Sequence, residues 1–307
     1  MKYSGIGGQA VIEGIMMMKG EDYAVAVRRP DKEIEVKKDT YQSITKKAKI
    51  LQLPFVRGVF RFADSMIIGM RSLTYSASFF EDDEDAEPGK FEQFLDRVFG
   101  EKLESAIMAA VLVISFILAI GIFMLLPLGI ANLFKGVITS DHLMAVLEGV
   151  IRIAIFIIYI KLVSRMEDIR RTFMYHGAEH KCINCVEHGH PLTVKYVRES
   201  SKEHKRCGTS FILIVMVISI LMFMVIRVDT IWMRILSRII LVPVIAGISY
   251  EVLQCAGRSN SKFMDLVSRP GMWMQGLTTR EPDDGMIECA IAAVLPVLPE
   301  KPEDGKW

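Results

Sequence analysis

Charge of one sign is not in excess in this chain: 37 Lys and Arg stand against 36 Asp and Glu, a net charge of +1. The overall balance therefore gives no basic footprint for nucleic acid and no acidic field for a cationic partner. Residues 1–40 contain no apolar stretch behind a basic start, so no secretory signal peptide is expected and the N-terminal segment is placed in the cytosol. The five Cys are odd in number and none has the spacing of an extracellular disulfide scaffold, so reduced thiols are expected. Cys182-Ile183-Asn184-Cys185 looks like half a zinc ribbon, but there is no second C-x-x-C to complete one. The Gly-rich start Gly5-Ile6-Gly7-Gly8-Gln9-Ala10 lacks the strand and helix of a phosphate loop, which argues against nucleotide binding.

What is abundant is apolar sequence in blocks. From Ser105 to Phe134 no charged residue occurs for thirty positions, more than the roughly 20 apolar residues that cross a bilayer core. Gly208 to Ile226 is a second uncharged block, bounded by Arg206 and Arg227. Leu143 to Val163 and Ile235 to Ala256 are long enough to span but carry Glu148 and Arg152 in the first and Arg238 and Glu251 in the second. The expected fold is mainly α: a four-span helical membrane bundle with a small β-containing N-terminal cytosolic unit and a helical cytosolic loop. The lipid bilayer is its first partner, other membrane proteins a further one, and nucleic acid none. Residues 164–206 hold nine Lys and Arg against six Asp and Glu, which places that loop in the cytosol. The expected topology is a multi-pass protein of the inner (plasma) membrane with both termini cytosolic.

Along the chain, residues 1–48 read as the β-rich unit: Tyr23 to Arg28 alternates, Pro30-Asp31-Lys32 turns, and Ile34 to Val36 returns. Residues 49–80 read as an amphipathic interfacial helix, with Arg57, Arg61, Asp64 and Arg71 on one stripe. An acidic linker occupies 81–100, and the bundle with its cytosolic loop 164–207 fills 101–257. The C-terminal cytosolic segment is 258–307. In it, Arg269 to Trp273 and Thr278 to Asp284 read as structured loops before a short helix beginning near Gly285.

Chemistry concentrates in the loop, which holds five of the six His. In Tyr175-His176-Gly177-Ala178-Glu179-His180, positions i, i+3 and i+4 bring His176, Glu179 and His180 to one helix face. Two imidazoles one turn apart chelate Zn²⁺ at about 2.0–2.1 Å, with the carboxylate near a coordinated water. This is the H-x-x-E-H order in which Glu179 serves as general base. His204 and Cys207 close the same loop just before the third span, and the N-terminal end of that helix favours a thiolate at Cys207. Cys182 and Cys185 face away from the His stripe and read as packing residues, and His188 and His190 as exposed imidazoles. Glu187 and His190 give one half of a di-iron helix motif, with no second half. Glu148 and Arg152 are spaced to pair, and Glu251 is placed as a further ligand or as a partner orienting a His.

Four blocks in order complete the reading. They are Gly7-Gly8-Gln9-Ala10-Val11-Ile12-Glu13-Gly14, Tyr175-His176-Gly177-Ala178-Glu179-His180-Lys181, Arg206-Cys207-Gly208-Thr209-Ser210-Phe211, and Arg269-Pro270-Gly271 with Leu277-Thr278-Thr279-Arg280-Glu281-Pro282. Together they resemble the YqhQ-like family over nearly the full length. The resemblance implies a bacterial membrane protein described as a metal-dependent enzyme without an assigned substrate. It puts His176, Glu179, His180, His204 and Cys207 forward as the metal residues and draws attention to Glu13 and Arg280. Where the family often has Pro after His204, this chain has Lys205, which removes no ligand. The expected activity is a metal-dependent, peptidase-like hydrolase using a divalent transition metal, Zn²⁺ first. The alternative is a structural metal site in a non-catalytic partner of export or insertion machinery. A transport role rests on Glu148, Arg152 and Glu251 alone, with no discontinuous helices to form a pathway.

Overall fold

The computed structural model describes residues 4–80, 103–226, 230–258 and 261–298, so the acidic linker expected at 81–100 lies outside the described residues. Four strands come first, β1 (Ile6–Val11), β2 (Gly14–Lys19), β3 (Asp22–Arg28) and β4 (Ile34–Thr40), forming an antiparallel meander in chain order. The helices are α1 (Val56–Ala77), α2 (Leu103–Ile120), α3 (Leu126–Asn132), α4 (Asp141–Val163), α5 (Glu167–Glu187), α6 (Val194–Glu199), α7 (Gly208–Val225), α8 (Ile231–Arg258), α9 (Lys262–Thr278) and α10 (Asp284–Val294). They divide into two compact units, residues 1–80 with 160–307, and residues 81–159.

In the first unit the sheet is covered on both faces. Ile6, Ile15, Met17, Ala24 and Ala26 pack with α5 and α10 around Tyr175, Ile183, Met286 and Ile287. The alternate residues Val11, Met16, Tyr23, Val25 and Val27 pack with Tyr41 and with Ile68 of α1. Burial on both faces is why Ile15-Met16-Met17 and Ala24-Val25-Ala26-Val27 read as continuous apolar runs. The tight β1–β2 connection needs a left-handed residue, which Glu13 supplies at φ 46°. Asp64 ties α1 to the chain leaving β4: it accepts from Tyr41 Oη at 2.9 Å, Ser43 Oγ at 2.5 Å and the Ile44 N–H at 3.0 Å. The N-terminal sheet, the loop helix and the C-terminal helix, read separately from sequence, thus share one core.

Among the described residues, four helices are long and apolar enough to cross a membrane: Ala110–Asn132, Asp141–Val163, Gly208–Val225 and Leu236–Gly257. They match the four apolar blocks. In the second unit, the first of them passes through a π turn at Gly121–Leu125, and Arg152 donates to Glu148 at 2.7 Å within α4. In the first unit, Arg57 of α1 grips Glu251 of α8 through two bonds of 2.7 and 2.6 Å.

Three expectations are corrected. The Gly-rich start is a strand, because the glycines lie in an edge pairing with β2; with β2 and no helix behind it, it remains unlike a phosphate loop. Arg269 to Trp273 is not a loop but the middle of α9, whose Ser261 cap accepts from the Met264 N–H at 3.2 Å. Pro270-Gly271 sits there because a Cβ at Gly271 would lie 2.6 Å from Ser210 Oγ, so the small residue allows α7 and α9 to touch. Glu251 pairs with Arg57, and the described His and Cys side chains that cluster do not include it. Asp64→Ala is expected to cost about 2–4 kcal/mol, since it strands the Tyr41, Ser43 and Ile44 donors together; a fall in thermal unfolding midpoint of the detergent-purified protein measures it.

Candidate metal centre

Helix α5 is buried on every residue from Gly177 to Glu187. A polar helix so enclosed must have each polar group satisfied by a neighbour. Lys181 Nζ donates to the Arg198 and Ser200 carbonyls, both at 2.9 Å. Asn184 Nδ2 donates to the Ser201 and Glu203 carbonyls at 2.7 and 2.9 Å. The same logic fixes the two His. His176 Nδ1 donates to the Thr278 carbonyl at 2.9 Å, and His180 Nδ1 to the Lys202 carbonyl at 2.6 Å. A carbonyl only accepts, so each ring carries a proton on Nδ1, and in a neutral ring that tautomer leaves Nε2 with the lone pair a metal requires.

The sulfur of Cys207 lies 3.2 Å from His176 Nε2. Cys207 is the N-cap of α7; its Sγ accepts from the Thr209 N–H and donates to Thr209 Oγ1, each at 3.4 Å. Ligand atoms of His176, His180 and Cys207 all lie within 4.8 Å of one another. Around a tetrahedral Zn²⁺ a nitrogen and a sulfur ligand stand about 3.6 Å apart. The donor set, its tautomers and its spacing fit a divalent transition metal with small adjustments.

Glu179, between the two His in sequence, packs on β1. A Cβ at Gly8 would lie 2.8 Å from Glu179 Cγ and 2.9 Å from its Oε1, so glycine is what lets the carboxyl sit there. Its Oε2 is buried, with no hydrogen-bond partner among the described residues. Burial pushes the carboxyl up to about 7, opposed in part by His176.

Of the four expected ligands, three converge and His204 does not join them. Its Nε2 faces Glu187 Oε2 at 3.5 Å, and Arg206 bonds the other oxygen of the same carboxylate. Gln275 grips the His204 backbone, accepting from its N–H at 2.9 Å and donating to its carbonyl at 2.7 Å. The ring centroid remains 5.8 Å from that of His180. Burial lowers the His204 pKa, opposed in part by its bond to Glu187. For Glu187, burial alone would raise the carboxyl, but the bonds from His204 and the Ser4 N–H and the charge of Arg206 hold it at about 2. Glu187 was read only as half of a di-iron motif; its partner Ser4 stands 183 residues away, beyond any local signal. Cys182 and Cys185 lie in the core, with Cys182 Sγ turned to the Ala290 carbonyl at 3.6 Å. His188 and His190 are exposed and stack at 6.2 Å.

Glu13 and Arg280 acquire positions. The Glu13 carboxylate takes two 2.5 Å bonds from Arg171 and one of 3.3 Å from Tyr175 Oη, fastening the β1–β2 turn to α5. Arg280 acts through its backbone: its N–H donates to the Phe173 carbonyl at 2.9 Å, and its own carbonyl lies against Gly177, leaving no room for a Cβ.

Among the described residues the fold has four membrane-length helices, and His176 and His180 of α5 meet Cys207 at the N-terminal end of α7. The chain belongs to the family described as "Protein of unknown function (DUF1385)", which matches residues 53–300. It is similar to "Uncharacterized protein YqhQ" of Bacillus subtilis (strain 168), 34% identical over 293 residues, which are 95% of this chain and 92% of that protein. No solved structure matches it.

Detergent-purified protein is expected to carry one equivalent of transition metal by elemental analysis, and His180→Ala to lose it. Added Zn²⁺ at 100 times its Kd should stabilise the metal-free protein by about 2.7 kcal/mol, read as a rise in unfolding midpoint.

Proposed function

We propose that this protein is a metal-dependent hydrolase at the cytosolic face of a bacterial inner membrane, with His176, His180 and Cys207 as ligands and Glu179 as general base. The orientation is supported by the cationic excess of residues 164–206, nine Lys and Arg against six Asp and Glu. One observation carries the catalytic reading. A structural zinc site fills all four positions with protein, whereas a catalytic one keeps a position open; here three side chains converge among the described residues. On the same helix as the two His, between them in sequence, stands a buried carboxyl whose Oε2 has no hydrogen-bond partner among the described residues.

A cation such as Zn²⁺ held by the three side chains supplies Lewis-acid activation of water. The chain does the rest. The Thr278 and Lys202 carbonyls hold both imidazoles in the ligating tautomer. Glu179 takes a proton from water as the water oxygen bonds to the substrate's electrophilic carbon, and passes it to the leaving atom as the old bond breaks. Gly8 gives the carboxyl its place without offering it a hydrogen bond that would hold it back.

Glu179→Gln should fold, retain stoichiometric metal and lose about 10²- to 10⁴-fold in hydrolysis of p-nitrophenyl acetate. Full retention of activity in Glu179→Gln, with His176→Ala unfolding the loop, would assign the metal a stapling role. The chain would then be a non-catalytic partner in a membrane complex such as export or insertion machinery.

A further inference from the structure

The two edges of the sheet are unlike. Strand β4 is lined with Glu35, Lys37, Lys38 and Asp39, all exposed, the usual guard against pairing with another chain. Strand β1, Ile6-Gly7-Gly8-Gln9-Ala10-Val11, has no charge. Its open edge can be read residue by residue. The Arg28 N–H donates to the Glu13 carbonyl at 2.8 Å, so the odd positions of β2 bond to β3 and the even ones to β1. The even β2 residues Gly14, Met16 and Met18 stand opposite Val11, Gln9 and Gly7. Residues 6, 8, 10 and 12 therefore turn their N–H and C=O groups outward.

Two of those outward groups confirm the assignment. The Ile6 N–H donates to Ser4 Oγ and the Ile12 N–H to Ser76 Oγ, each at 3.2 Å. Between these serine caps, Gly8 and Ala10 are not buried, and their outward N–H and C=O groups bond to no other described residue. The slot from Ile6 to Ile12 is about 20 Å long at the usual strand rise. Glu179 of α5 lies under Gly8 on one face of the strand, and Gly69 of α1 lies against the Gln9 side chain on the other.

We propose that the substrate is an extended polypeptide segment that adds to the free edge of β1, pairing with Gly8 and Ala10 so that its backbone passes the Glu179 carboxyl beneath Gly8. This rests on the hydrolase reading above and names its substrate class. Alternating donors and acceptors two residues apart are what an unfolded or unwound peptide offers, and a helix satisfies its own. The bond broken is a peptide C–N bond: water oxygen joins the carbonyl carbon, and the proton taken by Glu179 goes to the departing nitrogen.

The test uses full-length, Zn²⁺-loaded protein in detergent, with fluorescein-labelled β-casein as an unstructured polypeptide and p-nitrophenyl acetate as a small substrate. Wild type should hydrolyse both. Ala10→Pro removes one outward N–H without touching the pairing to β2, and should raise the KM for casein about five- to tenfold at unchanged metal content. Independently of any variant, a Thr-Val hexapeptide N-methylated at alternate residues keeps one free edge and should inhibit casein cleavage. The same peptide methylated at every residue should be at least ten times weaker. Cleavage of the ester but not of casein overturns the docking proposal and leaves the hydrolase reading standing. So does equal inhibition by the two peptides, or an unchanged KM in a folded, metal-loaded Ala10→Pro protein. Hydrolysis of neither substrate removes the hydrolase reading, and the proposal with it.

Discussion

Three turns of a polar helix are enclosed on all sides in this protein, and the rest of the structure answers that constraint. Residues 177–187 of α5 include Glu179, His180, Lys181, Asn184 and Glu187, all buried. Burying such groups without partners would cost several kcal/mol each. The chain meets the requirement with backbone: carbonyls from Arg198 to Glu203 receive His180, Lys181 and Asn184. Ser4 from the N-terminus and Arg206 from the far end of the loop satisfy Glu187. One oxygen on that buried stretch is left over, Glu179 Oε2. A buried acceptor without a partner calls for a physical explanation, such as strain, a bound water or ion, or a chemical role.

The same enclosure explains the glycines. Gly8 and Gly177 are the points where a strand and a backbone carbonyl come within Cβ distance of α5. Through the first the helix sets Glu179 against the sheet, and through the second it draws in the segment carrying the Thr278 carbonyl. Glu13 fixes the register of this assembly, because its carboxylate joins the β1–β2 turn to Arg171 at the start of the buried stretch. The placement of Glu179 against β1 and the meeting of His176, His180 and Cys207 thus belong to one packing arrangement.

Local pattern carried much of this. Hydropathy blocks alone located the four membrane-length helices, since thirty uncharged residues admit few other readings. Helical spacing alone put His176, Glu179 and His180 on one face, and the end of the loop placed Cys207 at a helix cap. Reading failed where a residue's meaning depends on a distant partner. Pro270-Gly271 resembles a breaker until Ser210 is seen against it. Glu251 looks like a stray ligand until Arg57, 194 residues away, takes both its oxygens. His204 has ligand chemistry, but Glu187 and Gln275 hold it outside the cluster.

By itself, then, the sequence determined the four apolar stretches and the helical spacing of His176, Glu179 and His180, because these follow from short-range periodicity and side-chain type. Only the tertiary structure decided which candidate ligands meet, which His tautomers they adopt, and that the N-terminal sheet closes over the loop helix with one edge left open. Those outcomes depend on hydrogen bonds and close approaches between segments up to 183 residues apart, and no local pattern encodes them.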